Sequence, residues 1–370
     1  MYYTIEYSPK LAVFSYVFYI VMLLIASPMK NYQNNSFRVG TRGIVVFFIM
    51  YAILNVFSLW EYDTYHTWNH FVENGFDNLF GYENVYQRIA LITGDHYFIW
   101  RCFIWIPACY FIYKSADILG LVNSKLLLSI VLFGSFVGYT RGMIGFTMLV
   151  LGSILFVSPN KSINKLIGLI IIVISYYFHK SMFIMILFSV LAYIPLQKRH
   201  IKFLLLIFPI LTLLMPQITP MLSSLELSEG VGEVGVGIVE STLESEKLQR
   251  NTNGKIIKLI ELIPQYITLY YLGMQVFKYK VFEQCKYRKV FEYLFRFTFI
   301  GFYIASLFFF TDHTSWLFER FKHMAFFPMI ISLTATFTYE KKMCGWMKYI
   351  VLYQILFIIF SHCLRVYSNL

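Results

Sequence analysis

Charge is scarce in this chain. Of 370 residues, 14% are Asp, Glu, Lys or Arg, while 58% are hydrophobic; a soluble globular domain carries about 25% charge. Cysteine is scarce too. The five cysteines make neither a metal-ligand spacing nor a disulfide framework, so no metal and no cofactor is expected. A phosphate loop is missing. "GVGEVGVG" has the glycines but not the Gly-Lys-Ser/Thr ending that holds a nucleotide phosphate. There is no long repeat, no low-complexity tail and no linker, which excludes an array of separate modules.

What fills the sequence instead is a series of apolar runs. About twelve segments of roughly 15–22 apolar residues follow one another, the length that carries an α-helix across a bilayer. They lie near 10–27, 42–60, 96–113, 125–139, 142–157, 163–178, 181–196, 201–219, 257–277, 291–310, 316–337 and 346–364. The expected fold is therefore an all-α polytopic membrane protein, with residues 1–370 as one integral membrane domain. The first run is read as a retained helix rather than a signal peptide. The abundance of Phe, Tyr and Ile suggests an AT-rich bacterial genome.

The net charge of +11 has an orientation rather than a nucleic-acid partner as its expected cause. Lysines and arginines collect in alternate loops, among them Lys30 and Arg38, Lys161 and Lys165, Lys198 and Arg199, and Lys286 to Lys289. Basic loops stay cytoplasmic. The chain is then multi-pass in a bacterial cytoplasmic membrane, with both termini outside. The intervening loops are acidic. Two of them are long: residues 61–95, where aromatic spacing suggests interfacial helices, and residues 220–256, a candidate lid.

Polar residues break the apolar pattern at three places. "SYYFHKSMF" puts His179 and Lys180 between two apolar runs. One helix over residues 163–196 would be about 50 Å long, against a hydrocarbon core of about 30 Å. Two short helices joined by a tight outer turn fit instead. "GSFVGYTRGMIG" places Arg141 at a second turn, with Gly134, Gly138 and Gly142 spaced for close helix approach. "TDHTSWLFERFKHM" supplies Asp312 and His313 in a third turn and Arg320 just inside the next run. All three fall on the outer side. Arg101 is a further outer-side cation, and Arg296 lies nearer the inner side.

Arginine's planar fork matches phosphate oxygens, and histidine moves a proton near neutral pH. Arginines, histidine and carboxylates at one face suit a lipid-pyrophosphate sugar donor. Each residue also has a plainer reading: Arg141 as an interfacial arginine that snorkels, His179 as a turn cap, Lys180 as an interfacial anchor.

The order "DTYHTWNHF", "YENVY", "RGMIGFTML", "FHKSMFI", "ERFKHMAFFP" over about residues 40–335 resembles the EpsG family of Wzy-type polysaccharide polymerases. The family's Asp, Glu, helix-heading Arg, His-Lys-Ser turn and late Arg fall on Asp63, Glu83, Arg141, His179 and Arg320. Asn84 stands where a Pro is usual, and Gly142 where a Gln is frequent. The resemblance implies a helical bundle like that of GT-C glycosyltransferases. It implies polymerisation of undecaprenyl-pyrophosphate-linked repeat units into capsule, O-antigen or exopolysaccharide, with a Wzz-type chain-length regulator as a candidate partner. His179, Asp63 and Glu83 would be the catalytic candidates; Arg141, Arg320 and Lys180 would hold the pyrophosphate. The rival classes are a lipid-linked glycan flippase and an O-antigen ligase.

Overall fold

The computed structural model describes residues 17, 41–57, 84–94, 96–121, 140–159, 162–178, 182–224, 252–309, 315–339 and 349–350. The described elements are helices, with no strand among them. They are α1 (Thr41–Phe57), α2 (Asn84–Thr93), α3 (Tyr97–Ile118), α4 (Thr140–Val157), α5 (Ser162–Ser175), α6 (Met182–Tyr193), α7 (Lys198–Ser224), α8 (Thr252–Phe277), α9 (Arg288–Leu307) and α10 (Ser315–Tyr339). A 3-10 turn, Tyr176–Phe178, follows α5. The expected runs at 125–139 and, but for three residues, at 10–27 and 346–364 lie outside the described residues.

The all-α expectation holds for the described chain. Some ends move. The run expected to stop at 113 continues as α3 to Ile118, because Lys114 is paired rather than helix-ending. Its Nζ lies 2.9 Å from Asp117 Oδ2, one turn on. That hydrogen bond holds the Lys114 ammonium above its ordinary pKa. The run at 201–219 likewise belongs to a longer helix, α7. Among the described residues one helix, Arg288–Leu307, is long and apolar enough to cross a membrane, and four apolar stretches are shorter.

The chain forms two compact units. One takes in Met1–Ile186, Val281–Phe291 and Ile330–Leu370; the other takes in Leu187–Lys280 and Glu292–Met329. In the first unit α4 is the centre, buried on every side from residue 142 to 154. A helix buried all round has no solvent face to serve, and its sequence shows none. It pairs with α5 through glycine. A Cβ built on Gly168 would lie 2.6 Å from Gly152 O, and one on Gly152 would lie 2.8 Å from Gly168 O. Only glycine at both positions lets the backbones meet so closely. The close approach seen here uses Gly152 and Gly168; Gly134 and Gly138 of the expected series lie outside the described residues.

Helix α3 packs on α4, and α1 packs on α3. Arg101 lies fully buried in α3. Its Nη2 donates to Asn55 O at 2.5 Å. Asn55 sits in the last turn of α1, where carbonyls have no partner within the helix, and a cation also suits the negative end of the helix dipole.

The second unit repeats the device. Arg296 of α9 donates from Nε to Ala192 O at 2.7 Å, in the last turn of α6, with Glu292 one turn away at 4.0 Å. Ser189 and Tyr293 share a buried hydrogen bond of 2.6 Å. Helices α9 and α10 pack closely: a Cβ on Gly301 would lie 2.7 Å from Ala325 Cβ. Several buried hydroxyls are satisfied within their own helices: Thr147 donates to Met143 O, Thr298 to Leu294 O and Thr336 to Ser332 O. This is how hydroxyls survive where no water reaches them.

Candidate functional site

The break expected at "FHKS" is present. Helix α5 ends at Ser175, the chain tightens into the Tyr176–Phe178 turn, and α6 begins at Met182. His179 and Lys180 themselves lie outside the described residues. Their flanks are held by one residue of α4. A Cβ on Gly145 would sit 3.0 Å from Ser175 O, 3.2 Å from Phe178 Cβ and 3.1 Å from Met182 Cγ. Gly145 therefore touches the chain on either side of His179 and Lys180.

Arg141 occupies the second position of α4, one helical turn before Gly145. Residues four apart lie on the same face of a helix, so the Arg141 position stands above the glycine against which the turn is seated. Backbone N–H groups at this end have no acceptor within the helix, and the dipole favours an anion there.

A third element joins them. Helix α2 begins at Asn84, directly after Glu83, and packs against both the Tyr176–Phe178 turn and α3. The first unit thus brings together the helix that Glu83 precedes, the helix that Arg141 opens and the turn that His179 follows. Glu83 and Asp63 lie outside the described residues, as do Asp312 and His313. Arg320 is the sixth residue of α10, in the second unit.

Arg101 is occupied structurally. Besides the Asn55 carbonyl, its guanidinium lies 5.8 Å from the centroid of the Tyr97 ring, and Nη1 reaches Tyr97 Oη at 3.5 Å.

Two kinds of polar residue emerge that the sequence did not single out. Lys322 of α10 is 2% exposed. Gln265 and Gln275 of α8 are 4% and 3% exposed, and their carbonyl oxygens find no partner among the described residues. The signal was available for Lys322, two residues past Arg320, since both fall in the same expected span.

Among the described residues the elements are helical, with cations and amides such as Arg101, Lys322 and Gln265 buried and many large apolar side chains exposed. No protein-family model, curated protein or solved structure matches the chain.

Proposed function

We propose that this protein is a multi-pass glycosyltransferase of the bacterial cytoplasmic membrane, with about twelve spans. It would polymerise undecaprenyl-pyrophosphate-linked oligosaccharide repeat units at the outer face, as the resemblance to the EpsG family implies. The observation that carries the reading is the meeting of α2, α4 and the Tyr176–Phe178 turn. Three short motifs separated by dozens of residues in sequence belong to elements that touch.

The surface supports the membrane location. Helix α5 exposes Ile163, Leu166, Ile170 and Val173, and α7 exposes Leu206 at 74% and Leu213 at 77%. A soluble monomer rarely exposes a contiguous apolar patch beyond a few hundred Å². Intramembrane polar groups face the interior instead, as Asn55, Arg101, Gln265 and Lys322 do here.

In the reaction, an acceptor hydroxyl attacks the anomeric carbon of the sugar on the donor lipid. The bond from that carbon to the pyrophosphate oxygen breaks, and the lipid pyrophosphate leaves. The hydroxyl proton passes to a base, with His179 as first candidate and Asp63 or Glu83 as the others. Arg141 neutralises the departing pyrophosphate, helped by the positive end of α4. Assignment of Arg320 and Lys180 to the same phosphates rests on motif order alone.

The test is purified protein incubated with a lipid-linked repeat unit. A ladder of products is expected. A single addition to a different acceptor would instead indicate a ligase. Intact substrate moved across the bilayer would indicate a flippase.

A further inference from the structure

Helices α1 and α3 enclose a groove of about 370 Å³ in the first unit. Helix α1 lines it from Val45 to Val56, and α3 lines it from Cys102 to Tyr113. The two helices run antiparallel. Tyr51 meets Trp105 edge-on at 6.4 Å, and Phe48 meets Tyr113 edge-on at 5.6 Å. Val45 and Tyr113 therefore share one end of the groove, and Val56 and Cys102 share the other. Its edges lie open to the exterior, since Ile49 and Ile106 are 53% and 55% exposed. Ala52, the smallest lining side chain, leaves room between them.

Each wall covers eleven residue steps. That is about 16 Å of helix, or about half of a 30 Å hydrocarbon core, which is the depth of one leaflet. Polarity rises toward the Tyr113 end. Residues four apart share a helix face, so Ile106, Tyr110 and Lys114 form one row, and Cys109, Tyr113 and Asp117 form the next. Each row passes through a tyrosine to a charge, and tyrosine favours the boundary between hydrocarbon and water. The two charges are paired. Lys114 Nζ lies 2.9 Å from Asp117 Oδ2, and the side chains are 42% and 38% exposed. An ammonium has three hydrogens and a carboxylate about four lone-pair sites, so the pair keeps both donors and acceptors for a ligand.

We infer that this groove binds one phospholipid with a phosphoethanolamine head. One acyl chain lies along α1 and α3, the ester region meets the hydroxyls of Tyr110 and Tyr113, and the head extends past the groove to the ion pair. Its phosphate accepts a hydrogen bond from the Lys114 ammonium, and its own ammonium donates to the Asp117 carboxylate. A head with both charges matches a site with both, whereas a purely anionic head sets a like charge beside Asp117. Lys114 belongs to the loops that their positive charge assigns to the cytoplasm, so the lipid comes from the inner leaflet. The site binds, with no bond made or broken. The inference rests on the membrane location and not on the sugar chemistry.

The test is native mass spectrometry of the full, delipidated chain in detergent, titrated with phosphatidylethanolamine, phosphatidylcholine and phosphatidylglycerol of matched acyl chains. Phosphatidylethanolamine should bind most tightly, because a choline head has no N–H to donate and a glycerol head has no cation. Ala52→Leu narrows the groove and should weaken all three lipids by at least about tenfold, the loss from displacing about two methylenes. Ile49→Trp, at an exposed edge, obstructs the same groove and guards against misfolding of the first variant. Asp117→Asn leaves the groove open. It should lower phosphatidylethanolamine to the affinity of phosphatidylcholine, a drop of about two- to fivefold for part-exposed charges. Unchanged affinity in Ile49→Trp, together with unchanged affinity or failed folding in Ala52→Leu, would overturn the groove. Equal affinity for the three lipids, or a preference that survives Asp117→Asn, would overturn the head-group assignment. A dimer that the groove variants dissociate while lipid binding persists would give the groove to a second copy of the chain. The product ladder reads the polymerase assignment separately: variant-sensitive lipid binding without a ladder leaves this site standing, and a ladder without such binding does the reverse.

Discussion

Gly152 and Gly168 face each other so closely that each backbone oxygen occupies the place where the other residue's Cβ would be, at 2.8 and 2.6 Å. Helix backbone cannot move aside as a side chain can. Gly152→Ala or Gly168→Ala should therefore cost about 1–3 kcal/mol or more, seen as a lower thermal midpoint in detergent. Gly273→Ala is the control. Its nearest neighbour is Phe295 Cζ at 3.5 Å, an ordinary contact, so the gain in helix propensity, up to about 1 kcal/mol, should survive. Equal destabilisation at all three positions would refute close backbone packing as the cause.

The arginines of the helix interiors make a second prediction. Arg296 closes the last turn of α6 through Ala192 O, as Arg101 closes α1 through Asn55 O. Arg296→Met leaves a buried carbonyl without its donor and should cost about 1–3 kcal/mol. Lys in its place keeps the charge but loses the planar fork, so Arg296→Lys should fall between. Chemical denaturation measures both. Lys as stable as the wild type would mean that charge alone is what α6 needs.

The helices were legible in the sequence because apolar length alone specifies them. Runs read at 142–157, 163–178 and 257–277 correspond to α4, to α5 with its turn, and to α8. Cations were harder to read. Lys114 looked like a loop marker, yet its pair with Asp117 keeps it in α3. Arg101 donates to a carbonyl of α1, a partner that no sequence spacing encodes. Gly145, Gly152 and Gly168 matter through what stands opposite them, and that is a property of the fold. The turn at "FHKS" was legible because one helix could not hold 34 residues within the hydrocarbon core, whereas its seat on Gly145 was not.

The Lys114–Asp117 pair predicts little, and that is informative. A lysine whose folded-state pKa is raised keeps its pair in full below the unfolded value and loses it as pH rises through the folded one. The pair is therefore intact at neutral pH. Both side chains are more than a third exposed, at 42% and 38%, and such pairs contribute about 0–1 kcal/mol. Asp117→Asn should change the denaturation midpoint at pH 7 only slightly. A large loss would reveal a role beyond the ion pair.

Orientation can be checked directly. In a cysteine-free background, single cysteines at Asn74 and Gly237 should react with an impermeant thiol reagent added to intact cells, and one at Ser162 should not. Ser162 opens α5 beside Lys161 and Lys165, a side that the positive charges assign to the cytoplasm. Labelling of Ser162 alone would invert the topology and move the Arg141 end of α4 away from the outer face.

His179 is the sharpest test of the site. A turn seated on Gly145 needs a residue that bonds nearby backbone, and asparagine does that as well as histidine. Asparagine donates and accepts hydrogen bonds but takes no proton at neutral pH. If His179 is the base, His179→Asn should fold, bind the lipid-linked repeat unit and lose about 10²- to 10⁴-fold in single-turnover rate. Gly145→Ala should also slow the reaction, because a new Cβ only 3.0 Å from Ser175 O would displace the turn. Its loss should extend to thermal stability, which His179→Asn spares. Weaker substrate binding with an unchanged chemical rate would move His179 to the phosphate. Wild-type rates in both His179→Asn and His179→Ala would end its role as a base and leave Glu83, which directly precedes α2 in sequence, as the next carboxylate to replace.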